Sequence, residues 1–189
     1  MDEASEALAA EGPTDGRPVP GAGGHAAGSA GGRPVAVIDV DGVVADVRHR
    51  LGFLRQRPGD WDAFFAAATA DPPLPEGVDL VLGLAADHDV VWLTGRPERS
   101  RADTERWLRA HGLPAGVLTM RPDDDRRSAR HFKRAELRRL ARTRRVAVVV
   151  DDDPAVVSLL RDDGWPVVHA DWLPYENTLK NAQEVEGRT

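Results

Sequence analysis

The sequence predicts an open α/β domain on a mostly parallel sheet, and three observations carry that prediction. Short apolar runs rich in β-branched residues recur from residue 35 onward. Amphipathic stretches of helical spacing separate most of them. Charged or hydroxylic residues stand just after the runs, where ligands bind in such sheets. Continuous apolar strands mean a sheet covered on both faces, hence helices on either side.

Residues 1–33 are mostly Gly, Ala and Pro with a few charges (EGPTDGRPVPGAGGHAAGSAGGRP). They have little to bury and much entropy to lose, so they read as a disordered tail. The domain is expected over 34–175, with a C-terminal tail over 176–189. Its first strand is VAVIDV (35–40), ending at DVDG. About thirty residues follow (ADVRHRLGFLRQRPGDWDAFFAAATADPP), enough for one or two helices but not for a domain. Trp61, Phe64 and Phe65 there read as the insert's own core.

EGVDLVLGLAAD (76–87) reads as a helix and DVVWLT (89–94) as the second strand, followed by TGRPE. RSRADTERWLRAHG (99–112) buries Trp107 and Leu108, and Gly112 stops it. GVLTM (116–120) is the third strand, followed by a loop of Asp and Arg. SARHFKRAELRRLAR (128–142) buries Phe132, Leu137 and Leu140. VAVVVD (146–151) is the fourth strand and ends at DDDP. PAVVSLLRDDG (154–164) has Pro in its first turn and Gly at its end. WPVVHA (165–170) is the last strand.

The chain has 189 residues, 41% hydrophobic and 30% charged, which suits one globular domain with tails. Its net charge of −6 gives no global basic field to draw nucleic acid. It has no cysteine, so disulfides, thiolate metal sites and a cysteine nucleophile are excluded. No window is long and apolar enough for a membrane span, and no apolar signal core opens the chain. A cytoplasmic protein is expected.

Asp39 and Asp41 are two apart and leave an extended chain on one face. Like charges that close repel unless a cation offsets them. Asp151 and Asp152 arrive from another strand end. Aspartates without cysteine and with little nearby histidine form an oxygen site for a hard cation, Mg²⁺ above all. An aspartate beside such an ion can attack phosphorus, and a second carboxylate can manage the proton. Thr94 and its backbone can donate to phosphoryl oxygens, and Lys133 adds positive charge.

In this order the motifs resemble those of haloacid dehalogenase (HAD) superfamily phosphatases. DVDGV matches the first motif, LTGR the second, Lys133 the third and VVVDDD the fourth. The likeness covers residues 34–172. It implies a HAD-like Rossmannoid three-layer fold with only a small lid insert. It implies Asp39 as nucleophile and metal ligand. Asp41 would be general acid/base, with its backbone carbonyl on Mg²⁺. Thr94 and Lys133 would hold the phosphoryl group, and Asp151 and Asp152 would complete the metal site.

MRPDDDRRSARHFKRAEL further resembles the phosphatase domain of polynucleotide kinase, through Arg121, Asp125, Arg127 and Lys133, with Gly95 and Arg96 of TGR. The expected substrate-binding set is therefore Thr94, Gly95, Arg96, Arg121 and Arg127. No GxxxxGK[ST] loop occurs, so a phosphatase module without the kinase half is expected. Val43 stands where the commonest first motif has Thr, and GVVAD also resembles the deoxyribonucleotidases. The expected activity is hydrolysis of phosphomonoesters, with polynucleotide 3′-phosphate ends as the first candidate. A 5′(3′)-nucleotidase, a small-phosphometabolite phosphatase and a non-enzymatic nucleic-acid or partner-binding module stay open. Between Arg121 and Arg145 lie eleven Arg/Lys against four Asp/Glu, either a solvated helix face or a rim for phosphodiester backbone.

Overall fold

The computed structural model describes residues 32–55 and 58–174, so the two expected tails lie outside the described residues, save the two residues at 32–33. The sheet has five parallel strands: β1 Val35–Ile38, β2 Asp89–Pro97, β3 Val117–Arg121, β4 Val146–Asp151 and β5 Val167–His169. Their order is β3-β2-β1-β4-β5, and every pairing is parallel. The chain builds outward from β1 on one side, then returns to β4 on the other. The strand order reverses there, so the ends of β1 and β4 flank the switch point.

Four helices cover the sheet: α2 Pro75–Asp87, α3 Arg101–Ala110, α4 Ala129–Leu140 and α5 Pro154–Asp162. Strand alternation sorts the core into two layers. Ala36 and Ile38 of β1 pack with Trp92, with Val81 of α2 and with Trp107 and Leu108 of α3. Val35 and Val37 face the other way, onto Phe132 and Leu137 of α4 and Val156 and Leu160 of α5. Odd-numbered positions of β1 therefore point at α4 and α5, and Asp39 continues that series.

The helix ends follow their sequence signals. Asp153 caps α5 by accepting from the Ala155 N–H at 2.9 Å, and Pro154 begins the helix. Gly112, at φ +68°, follows α3 as the expected stop.

The insert between β1 and α2 is small, as the sequence predicts. It holds a 3-10 segment Arg48–Leu54, α1 Trp61–Ala66 and a second 3-10 segment Ala67–Ala70. Val47, Leu51 and Leu54 close with Trp61, Phe64 and Phe65 into a separate core. The aromatics serve first as packing, stacked and edge-on at centroid distances of 5.3–5.8 Å.

One boundary differs. The sequence places TGR after β2, but β2 runs on through Thr94, Gly95 and Arg96 to Pro97. From Leu93 to Pro97, β2 advances four residues while β3 advances two. This irregularity leaves Thr94–Arg96 on the strand but out of the regular ladder. No helix among the described residues is long and apolar enough to cross a membrane.

Candidate active site

Asp39 stands one residue past β1 and Asp151 is the last residue of β4, both on the sheet face that packs α4. Lys133, one turn into α4, rises to meet them. Its ammonium donates to Asp39 Oδ2 at 2.5 Å and to Asp151 Oδ2 at 2.7 Å. All three residues are buried. The Val40 N–H donates to Asp39 Oδ1 at 2.7 Å, and the Asp153 N–H to Asp151 Oδ1 at 3.0 Å. The first and last aspartates are thus aimed by the backbone that follows each strand.

This arrangement is short of positive charge. Burial pushes the Asp39 carboxyl up to about 6, against the pull of Lys133 and with the push of Asp151. Burial also raises Asp151, again only partly offset by Lys133. Burial would lower Lys133, but Asp151 and Asp39 outweigh it and raise the group above its usual value. One lysine serves two buried carboxylates, with Asp152 beside them.

Carboxylate oxygens of Asp39, Asp151 and Asp152 lie within 4.8 Å of one another. Three hard oxygen donors and a deficit of cation fit a hard dication. Gly42 makes room for the third. Its φ is +74°, and a Cβ there would run into the Asp152 carboxylate. Gly42→Ala is expected to cost about 1–2 kcal/mol through the backbone alone. It should also weaken Mg²⁺ binding by displacing Asp152. Thermal melts and a calorimetric metal titration read the two effects separately.

The Asp41 carboxylate has partners of its own. Arg50 Nη2 and Arg96 Nη2 donate to its Oδ1 at 2.7 and 2.6 Å, and Arg96 Nε at 3.0 Å. Burial works to raise Asp41, but the two guanidiniums prevail and hold it at about 2. Behind them sits Asp71, fully enclosed. Its Oδ1 accepts from Arg50 Nε at 2.8 Å, and its Oδ2 from Arg50 Nη2 and Arg96 Nη2, each at 2.8 Å. His49 Nε2 lies 2.8 Å from Asp71 Oδ1. Thr94 is buried alongside and accepts from the Arg96 N–H at 3.2 Å.

The sequence therefore pointed at Asp39, Asp41, Thr94, Gly95, Arg96, Lys133, Asp151 and Asp152, and they line the strand ends together. The other two expected residues stand at and just past the end of β3, two strands from β1. Arg121 is buried beneath the loop after β3, where its Nη1 donates to the Arg127 carbonyl at 2.7 Å. Arg127 pairs with Asp125 on the surface. Asp46 pairs with Arg48. Arg50 and Asp71 were missed.

Asp71→Asn keeps the shape of the carboxylate but removes the charge that braces both arginines. Its expected effect is a 10- to 100-fold fall in kcat, about 1.4–2.7 kcal/mol, with Mg²⁺ affinity unchanged. Steady-state kinetics beside a metal titration check it.

Solved structures of similar shape include a haloacid dehalogenase-like hydrolase and an acid phosphatase. A chain in the structure of the Pnkp1/Rnl/Hen1 RNA repair complex superposes with a TM-score of 0.64 at 21% identity, over 77% of this chain and 44% of that one. A haloacid dehalogenase-like hydrolase from Streptococcus pneumoniae gives 0.56 at 12% identity, over 81% and 92%. A class C acid phosphatase from Bacillus anthracis gives 0.53 at 18% identity, over 68% and 55%. This chain spans less than half the length of the first of these. A search of curated proteins finds no match.

The fold class is thus that of the HAD-like α/β hydrolases. Within it, the family described as the polynucleotide kinase PNKP phosphatase domain matches residues 34–172, and the chain belongs to that family. It is a phosphatase domain of the HAD type.

Proposed function

We propose that this domain hydrolyses phosphomonoesters through an aspartyl-phosphate on Asp39, with Mg²⁺, and that its substrates are 3′-phosphate ends of polynucleotides. The observation that carries the chemistry is the Asp39–Lys133–Asp151 cluster at the switch point, with Asp41 held by two arginines. The family supports the polynucleotide substrate.

Asp39, Asp151 and Asp152 would hold the Mg²⁺, which would neutralise charge on the phosphoryl group and on the carboxylates. An Asp39 carboxylate oxygen attacks phosphorus, and the bond from phosphorus to the ester oxygen breaks. Asp41 gives its proton to the leaving oxygen. Asp41 then takes a proton from water as that water attacks the aspartyl-phosphate. Inorganic phosphate leaves, and Asp39 returns to a carboxylate.

Asp41 must be protonated for the first step, and the arginines hold it at about 2. Substrate resolves the conflict in this reading. A phosphoryl group that draws Arg96 onto its own oxygens releases Asp41 toward the ordinary carboxylate range. Arg96 thus serves as both phosphate ligand and control on the acid. Lys133 keeps the nucleophile oriented and meets the incoming charge.

Turnover of a 3′-phosphorylated oligonucleotide, a nucleoside 5′-monophosphate and an aryl phosphate, with Mg²⁺ and with chelator, tests the proposal. All activity should vanish with chelator, and the oligonucleotide should have the highest kcat/KM. No turnover of any of them with Mg²⁺ present would overturn it.

A further inference from the structure

Three backbone carbonyls beside the acidic cluster are gripped by one short segment, residues 169–172, where the chain leaves β5. The Ala170 N–H donates to the Asp151 carbonyl at 2.9 Å. His169 Nε2 donates to the Asp152 carbonyl at 3.2 Å. The Trp172 indole N–H donates to the Val43 carbonyl at 3.1 Å. Asp151 and Asp152 stand at the end of β4, and Val43 belongs to the loop after β1 that carries Asp39 and Asp41. Four consecutive residues therefore hold both chain segments that supply the carboxylates.

The loop after β1 is a turn closed on itself. The Val40 carbonyl accepts from the N–H groups of Val44 and Ala45, each at 3.0 Å, and the Gly42 N–H donates to the Ala45 carbonyl at 2.9 Å. Such a turn moves as a unit, so its outside contacts decide where it sits. The Leu74 N–H donates to the Val44 carbonyl and the Asp46 N–H to the Pro72 carbonyl, each at 2.8 Å. Gly77 of α2 is buried against the same turn, and a Cβ there would overlap the Val43 carbonyl. It would also meet the edge of the Trp172 ring at 3.2 Å. The Val43 carbonyl is thus seated between a bare stretch of helix backbone and an indole N–H. Any shift of that carbonyl carries Gly42 with it, and Gly42 is where the turn makes room for the Asp152 carboxylate. Mg²⁺ tolerates little departure from its octahedral geometry, so the spacing of its carboxylates matters.

We propose that residues 169–172 form a strap that sets the distance between the two acidic segments, with Trp172 and His169 as positioning residues for the carboxylates of Asp39, Asp151 and Asp152. Its catalytic consequence rests on the phosphatase reading above. Its consequence for metal binding rests on the acidic cluster alone.

The test uses the full chain with Trp172→Phe, Gly77→Ala, His169→Ala and His169→Gln. Trp165→Phe, in the core layer on the other side of the sheet, is the control for loss of an indole. Melts in chelator read the fold, a calorimetric Mg²⁺ titration reads the metal site, and turnover of an aryl phosphate reads kcat and KM. Trp172→Phe keeps the ring and loses the N–H, so Mg²⁺ affinity and kcat should each fall about tenfold, with KM little changed. Gly77→Ala should act in the same direction and further, although alanine is ordinarily the better helix former. His169→Ala should weaken Mg²⁺ binding, and His169→Gln, which keeps a donor, should restore most of it. Trp165→Phe should lower the melting temperature and leave Mg²⁺ affinity within about twofold, as expected of a distant site. Melting temperatures that fall while Mg²⁺ affinity and kcat hold would reduce the strap to packing and overturn the proposal. So would a wild-type chain that binds no Mg²⁺. A wild-type chain that binds Mg²⁺ but turns over nothing overturns the phosphatase reading instead, and the metal titrations then decide the strap.

Discussion

Asp39→Asn is expected to abolish phosphatase activity while making the metal-free domain more stable. The variant keeps the shape of the side chain but cannot form an acyl phosphate. Loss of a nucleophile removes on the order of 10⁴–10⁶ in kcat. The stability gain follows from burial. The folded chain raises the Asp39 carboxyl from 3.8 to about 6, so it favours the protonated form. A carboxyl raised on folding takes up protons that the unfolded chain releases, so stability falls as pH rises from about 4 to 6 and stays lowered above that. Asparagine removes this cost at neutral pH and relieves the repulsion from Asp151. The melting temperature in chelator should therefore rise. The stabilisation by added Mg²⁺ should shrink, because one of three carboxylates is gone. Kinetics and thermal melts with and without Mg²⁺ check both halves. Retained turnover would sink the nucleophile assignment. A destabilised variant would mean that Lys133 outweighs burial at this site.

The strands and helices were legible because buried parallel strands read as unbroken apolar runs. Asp39 and Asp151 were legible for the same reason: each follows such a run, and a carboxylate there has no packing role. Arg50 and Asp71 had no such signal. Both lie in the insert, where 3-10 turns and a six-residue helix carry no sustained period. A buried arginine also has the same hydropathy as an exposed one, and only a partner 21 residues on reveals it. Arg127 is different: its place in the loop after β3 matches the family pattern, and its guanidinium pairs with Asp125 two residues earlier. Local sequence could fix which strand ends carry charge. It could not fix which distant loop supplies the counter-charge.

Lys133→Met should produce the largest loss of stability, and a divalent cation should restore part of it. Methionine keeps the length of the stem in a site where the lysine is nearly fully enclosed. It removes the ammonium that Asp39 and Asp151 share. Two buried carboxylates are then left facing each other with no cation between them. Breaking a buried pair by deleting one partner costs about 3–5 kcal/mol, which lowers the melting temperature by on the order of 10 °C for a domain of this size. The remaining oxygens of Asp39, Asp151 and Asp152 still form the hard site, now with more uncompensated negative charge. Mg²⁺ should therefore raise the melting temperature of Lys133→Met by more than it raises that of the wild type. Turnover should stay low even at saturating Mg²⁺, because the ammonium that pairs with Asp39, and that in the proposed mechanism meets the phosphoryl charge, is absent. Equal Mg²⁺ shifts in the two proteins would separate the lysine from the metal site and show that it supports only the fold.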